Sequence, residues 1–430
     1  MCRQYPEQPE LDMNCIPGSR TRLISIIFLV LLAGSVTAAE ADQEHVYAID
    51  YLITPDIPNS GAIVKLRVIQ TRRLLRELHM PFDETTLSHI DGDGQITIDD
   101  GRIRWVPPAE GGELRWFARI NHLRDNDTYD AYIDDSFALF RAEDVIPPTA
   151  TRTLKGAASK TRLMFDLPVG WSAVTEYFRR SNAFDIVNPD RRFDRPTGWI
   201  ILGKLGVRHE TVAGVRVVVA APVGHEVRRL DILAMLNWTL PDIVHLLPDF
   251  PRRLTVISAG EPLWRGALSA PGSFYVHADR PLISENGTST IMHEAIHIGL
   301  GAGAVDGADW IIEGLAEYYG LEILRRSGTI SEKRYRSASS ELARWGEKAE
   351  SLCTDPSTGA VTARALTLFA RLDNEISEKS AGDYDLDDVA RRIADSRSKI
   401  TAQRLREIAA EFAGSDSEVL SDKALNNCEN

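Results

Sequence analysis

Along the first half of the chain, apolar residues recur at alternate positions in short runs broken by Gly, Pro, Asn and Asp. Residues 46–54, 62–69, 95–105, 113–120, 162–167 and 215–221 follow this pattern. Alternation sets one face of a strand against a core and the other toward solvent, and the turn residues let neighbouring runs fold back on one another. The pattern predicts an antiparallel β-sandwich-like domain over 43–210. Within it, Asp91-Gly92-Asp93-Gly94 followed by Ile96 and Asp100 mimics a calcium loop. The first ligand position holds His89 and no long helices flank it, so a hairpin turn is expected.

The period changes after Pro222. Residues 226–247 form an amphipathic helical stretch interrupted by Pro241, and strands follow at 254–258 and 273–278. Beyond Asp309 the helical period covers 310–327, 331–351, 361–380, 386–396 and 402–413. Region 211–430 is therefore a small sheet followed by a helical lobe, and the chain as a whole is α+β.

Candidate chemistry concentrates between these two parts. Residues 291–297 read Ile-Met-His-Glu-Ala-Ile-His, and 309–319 read Asp-Trp-Ile-Ile-Glu-Gly-Leu-Ala-Glu-Tyr-Tyr. His293 and His297 are four apart, so on a helix they share a face one turn apart, and two neutral imidazoles so placed hold a divalent metal. Glu294 reaches the rim of the same site as general base for a metal-activated water. Glu313, on a second helix facing the first, supplies the third ligand. With only 10 His in 430 residues, a chance His-Glu-x-x-His has a probability of about one in a hundred. Asn286-Gly287-Thr288 gives a turn-and-cap signal before the helix. Ile291, Met292, Ala295, Ile296, Ile298 and Leu300 flank the histidines with residues that bury, where an unpartnered ring is costly and a metal satisfies it. Nitrogen and oxygen ligation makes one Zn2+ per chain the expected cofactor. Glu317, one turn after Glu313, either accepts a hydrogen bond from a ligand imidazole or lies on a solvated helix face.

His-Glu-x-x-His followed by Trp-x-x-Glu-Gly-x-x-x-Tyr-Tyr resembles the gluzincin metallopeptidases, in particular the glycyl aminopeptidase family and, more distantly, the aminopeptidase N family. Leu167-Pro168-Val169-Gly170-Trp171 is similar to a turn in the amino-terminal β-domain of the glycyl group. The segments 365–376 and 385–391 are similar to its late helix pair. The resemblance implies a thermolysin-like, mainly helical zinc-peptidase domain over 211–430, without the peptide-binding PDZ domain that many members carry. It also implies a Gly-x-x-Glu-x strand whose Glu binds a substrate's free amino terminus. The matching residues are Gly266-Ala267-Leu268-Ser269-Ala270, so Gly266, Ala267 and Ser269 are candidate substrate-binding residues, with Ser269 where the carboxylate belongs. The family's oxyanion-donating Tyr aligns with Val361 and Thr362, and its neighbouring Lys with Arg364. Losing such a donor costs roughly a hundred- to a thousandfold in turnover. Tyr335 and Tyr384 match structural positions, leaving Arg364 or a loop His as substitutes.

Composition narrows the surroundings. With 43% hydrophobic residues the chain buries a sizeable core, and a net charge of −13 argues against nucleic acid or an anionic membrane surface as partner. Arg20 and Arg22 precede an apolar run, 23–33, that ends in Gly34, Ser35 and Val36-Thr37-Ala38, the pattern of a secretory signal peptide over 1–38. The expected destination is secreted or periplasmic, with no stable membrane insertion after cleavage; an uncleaved anchor is the alternative, and Met13 is a second candidate start. Past the signal only Cys353 and Cys428 remain, either as one bridge or as two buried thiols. The leading expectation is thus a zinc metallopeptidase acting on peptides or proteins, exo- or endo-acting. A metal-binding pseudo-peptidase that binds peptides or a partner protein without turnover is the second reading, and a zinc hydrolase of non-peptide amides the third.

Overall fold

The structure, a computed structural model, describes residues 45–425 apart from 126, 188–192, 397 and 423–424. The expected signal segment, the start at Met13 and Cys428 lie outside the described residues. Cys353 itself is disulfide-bonded.

The first half folds as three sheets of seven, five and four strands. Alternation works as expected in Gly61–Ile69, which buries Ala62, Val64, Leu66 and Val68 and turns Ile63, Lys65, Arg67 and Ile69 outward. Its neighbours Val46–Asp56 and Gly111–Arg119 pair with it antiparallel, setting Val64 between Ile53 and Trp116. The run 95–105 proves to be two strands, Gln95–Asp99 and Arg102–Val106, paired around a turn at Asp100-Gly101. The segment 91–94 is not the expected hairpin. Leu87–Gly92 pairs with Gly111–Arg119 in the seven-stranded sheet, whereas Gln95–Asp99 lies in the four-stranded one. The turn is a corner between sheets, fixed where Asp93 Oδ2 accepts from Glu113 N and Asp93 O accepts from the Trp105 indole.

The second half opens with a five-stranded sheet: β1 (Leu205–Val212), β2 (Val215–Pro222), β3 (Arg253–Ala259), β4 (Ala267–Ala270) and β5 (Ser273–His277), in the order β1-β2-β3-β5-β4. β2, β3 and β5 run parallel, while β1 and β4 close the sheet antiparallel at its edges. Helix α1 (Arg229–Leu246) makes the crossover from β2 to β3 and continues through Pro241 rather than breaking there. The carbonyl that Pro241 leaves without a helical donor belongs to Asn237, an exposed residue. The helical lobe comprises α2 (Thr290–Leu300), α3 (Asp309–Arg326), α4 (Glu332–Gly346), α5 (Ala360–Lys379), α6 (Leu386–Ser396) and α7 (Ala402–Ala413). Among the described residues no helix is long and apolar enough to cross a membrane.

The described residues from Tyr47 onward form one compact unit, because the small sheet is buried on both faces. Val217, Val219, Val256 and Val276 face the helices. Val218, Ala220, Ile257 and Tyr275 pack instead on Phe137, Leu139, Trp199 and Ile201 of the five-stranded sheet in the first half. At about 1.5–3 kcal/mol for each large apolar side chain fully buried, this seam is a core in its own right. Polar bonds fix its register. Trp199 N donates to Ser273 Oγ and its indole to Leu268 O, while Arg253 Nη2 and Thr255 Oγ1 both donate to Thr175 O. The β-domain therefore grips β4, the edge strand beside the candidate site.

Glu176 is half-buried at the same seam and accepts from Thr197 Oγ1 at 2.9 Å. Burial pushes its carboxyl up to about 8, with Glu143 adding to the effect and Thr197, Tyr177 and Arg253 opposing it. A carboxyl raised from 4.5 to about 8 takes up a proton on folding. Its contribution to stability is complete below about pH 4.5 and is lost as pH rises through about 8. Glu176→Gln, which mimics the protonated form, is expected to gain stability relative to wild type between pH 5 and 8.5, on the order of 1 kcal/mol or more by urea unfolding. A wild-type-to-variant difference that does not change with pH would show that the carboxylate is accommodated ionised.

Candidate metal centre

The local sequence explains why α2 forms and where it stops. Its N-cap is Ser289, one residue beyond the expected 286–288 signal, and the Ser289 hydroxyl accepts from Met292 N at 3.4 Å. Ser284 ties the preceding turn through its bonds to Thr288. Gly301 ends the helix at φ +56, a left-handed backbone position where a side chain is strained. Ile291, Met292, Ala295, Ile296 and Leu300 are buried, which leaves His293 and His297 one turn apart on the remaining face.

Helix α3 brings Glu313 to both rings. His293 Nε2 stands 3.2 Å and His297 Nε2 3.3 Å from the Glu313 carboxylate, and the two Nε2 atoms are 3.0 Å apart. One ligand atom from each of the three residues falls within a 4.8 Å cluster. On the far side of the His293 ring, Nδ1 lies 3.0 Å from Glu317 Oε2. A proton on Nδ1, donated to Glu317, leaves the Nε2 lone pair directed at the cluster. Burial disfavours charge on His293, yet its bonds to Glu313 and Glu317 outweigh that and raise its pKa well above the usual value. Burial likewise pushes Glu313 up, and the two imidazoles overcome it and hold the carboxyl far below the usual range. Two imidazole nitrogens and a carboxylate facing one point call for a cation between them. This donor set fits zinc with a position left open.

Glu294, only 6% exposed, lines the same cleft as His293 and Glu313, and its carboxylate has no hydrogen-bond partner among the described residues. Gly266 and Ala267 line this cleft as well, whereas Ser269 lines a second cleft on the His297 side.

The oxyanion side differs from expectation. Arg364 is turned away: its guanidinium donates to Ala349 O at 2.9 Å and lines a different hollow. Tyr335 lies under the Arg325 guanidinium and Tyr384 against Phe412, and neither borders the cleft. His225 and His277 each use Nδ1 to accept a backbone N–H, from Gly260 and Asp279, and do not border it either. Thr362, on the first turn of α5, does border it, as do Ser289, Thr290, Ser357, Thr358 and Arg280. In helices a Thr hydroxyl commonly bonds the carbonyl one turn back, as Thr367 does to Ala363 and Thr239 to Met235. The Thr362 hydroxyl makes no such bond among the described residues, which leaves it free to donate into the cleft. Close packing brings it there. Gly314, next to Glu313, admits α5 so closely that a Cβ would stand 2.5 Å from that of Ala365. Asp309 accepts from Ser357 N, pinning the chain that enters α5. The sequence signal for this contact is the Glu-Gly pair itself.

No family model and no curated protein matches the chain by sequence. Solved structures do match. An aminopeptidase N family protein from Idiomarina loihiensis has 17% identity and a TM-score of 0.65 over 89% of this chain and 76% of its own. An M1 zinc metallopeptidase from Deinococcus radiodurans, in a variant bound to a Tyr-Ser-Ala substrate, has 15% identity and a TM-score of 0.57 over 90% of this chain and 94% of its own. The same enzyme without the substitution gives 15% and 0.56. The chain therefore has the fold of the M1 zinc metallopeptidases, an N-terminal β-rich part followed by a mainly helical one, with a candidate metal site at His293, His297 and Glu313.

Proposed function

We propose that this protein is a secreted or periplasmic zinc-dependent metallopeptidase that hydrolyses peptide bonds. The observation that carries the reading is the convergence of His293, His297 and Glu313 on one point, with the unengaged carboxylate of Glu294 in the same cleft. The fold likeness supports it, and one relative of that fold is bound to a Tyr-Ser-Ala peptide. The signal pattern over 1–38 is the ground for the location.

His293, His297 and Glu313 would hold a zinc ion, which would supply the Lewis acidity needed to acidify a water and polarise a carbonyl. Glu294 takes the water's proton as the oxygen adds to the acyl carbon, then delivers it to the leaving nitrogen as the C–N bond breaks. Glu317 holds the His293 ring in the tautomer that keeps Nε2 unprotonated. Thr362 donates its hydroxyl to the oxygen that gains negative charge. A metal-binding pseudo-peptidase is the second reading, because among the described residues none lining the metal cleft is a tyrosine. Glu294 weighs against it: a module that only binds has no use for a free carboxylate beside its metal.

His293→Ala is expected to lose its zinc on dialysis, measured as metal per chain by atomic emission. Full retention would refute the ligand assignment. Glu294→Gln should keep one zinc per chain while turnover of a peptide library falls about a thousandfold. Thr362→Val should lower kcat up to about a hundredfold with KM little changed, and Thr362→Ser should restore most of it. Equal loss in Val and Ser variants would make Thr362 a packing residue.

A further inference from the structure

Two clefts meet at the ligand cluster. One, of about 350 Å3, is bordered by Gly266, Ala267, His293, Glu294 and Thr362. The other, of about 760 Å3, starts at His297 and runs past Ser269 and Ala270 toward Arg252, Arg253 and Glu176. His297 borders the larger cleft and His293 the smaller one, their Nε2 atoms are 3.0 Å apart, and β4 borders both clefts. Chain can therefore extend on either side of a bond held at the metal.

The larger cleft carries distinctive chemistry. Arg253 is half-buried; Nε donates to Thr255 Oγ1 at 3.3 Å and Nη2 to Thr175 O at 3.0 Å. Its Nη1 has no hydrogen-bond partner among the described residues, and the Phe178 ring lies 5.3 Å from the guanidinium carbon. Exposed Arg252 borders the same cleft. Among the described residues, the carboxyl groups there offer little countercharge. Glu176 is held protonated near neutral pH by burial, and Asp185 pairs with Arg180 at 3.3 Å. The uncharged Ser269 lines this cleft together with His297. An α-ammonium here would give up water beside two guanidinium groups without gaining an anion. A backbone carbonyl, or better a side-chain carboxylate, finds an open N–H donor instead.

Resting on the hydrolytic reading above, we infer that the site is an endopeptidase site: it cleaves internal bonds of extended polypeptides and favours those that place an acidic side chain against Arg252 and Arg253. The step is the same hydrolysis, with OH added to the acyl carbon and H to the leaving nitrogen, and it needs no co-reactant and no free terminus.

The test uses the purified, zinc-loaded protein and alanine-rich decapeptides blocked as N-acetyl and C-amide. One glutamate or glutamine is placed at successive positions, and free-ended versions are run beside them. Mass spectrometry locates the cuts, and fluorescence anisotropy on Glu294→Gln reads binding without turnover. The expected result is internal cleavage, with blocking changing kcat/KM less than about threefold and glutamate at one position raising it about tenfold over glutamine. Arg252→Glu, a surface change, should abolish that preference in both cleavage and binding. Release of single residues only from free-ended peptides would overturn the inference. Glutamate-dependent binding without any cleavage would retain the basic cleft and overturn the hydrolytic reading. Binding indifferent to glutamate would overturn the cleft's assigned preference.

Discussion

Two imidazole nitrogens 3.0 Å apart, both facing one carboxylate in a partly enclosed site, form an arrangement that needs a cation. Without one, the two ring lone pairs oppose each other or one ring must carry a proton against the cost of burial. With a divalent ion between them, the same atoms become a ligand set. Much of the helical lobe serves to hold this arrangement. Capping at Ser289 and the left-handed stop at Gly301 define α2, and Gly314 allows α5 to close on α3 beside Glu313. Farther along α3, Glu322 and Arg326 bind each other, and Arg326 binds Asp387 of α6 through two hydrogen bonds. Paired in this way, buried Glu322 carries no uncompensated charge, and the helix bearing Glu313 is locked to the rest of the lobe.

The β-domain contributes more than bulk. Its Trp199 holds β4 from one side through Leu268, and Thr175 holds β3 through Arg253 and Thr255. All three bonds cross the seam at which the small sheet is buried on its second face. The edge strand that borders the metal cleft is thereby fixed by residues distant in sequence. A shift of the β-domain would move Ser269 and Ala270 relative to His297.

What was legible in the sequence follows from periodicity. Helix spacing and apolar neighbours placed His293, His297 and Glu313 correctly on two facing helices, and strand alternation located most of the β-domain. What escaped depends on contacts between distant segments. The hairpin expected at 91–94 is a corner because its two strands find partners in different sheets. Arg364 was a candidate for the oxyanion side. Its Cα lies against Gly346 of α4, where a Cβ would come within 2.7 Å of it, and its side chain runs instead to the carbonyl of Ala349. Thr362 was read only as a position where the family's Tyr is missing, since a helical threonine usually satisfies its hydroxyl locally. Glu176 and Arg253 lie in separate strands and loops, and only the folded seam makes them neighbours.

The central claim, an N2O metal centre built from His293, His297 and Glu313, is tested most directly by zinc K-edge X-ray absorption on the purified protein. The account predicts one zinc per chain with two imidazole nitrogens at about 2.0–2.1 Å and oxygen ligands from carboxylate and water completing the shell. Sulfur scattering at about 2.3 Å, or a protein that takes up no zinc when it is offered in excess, would contradict it.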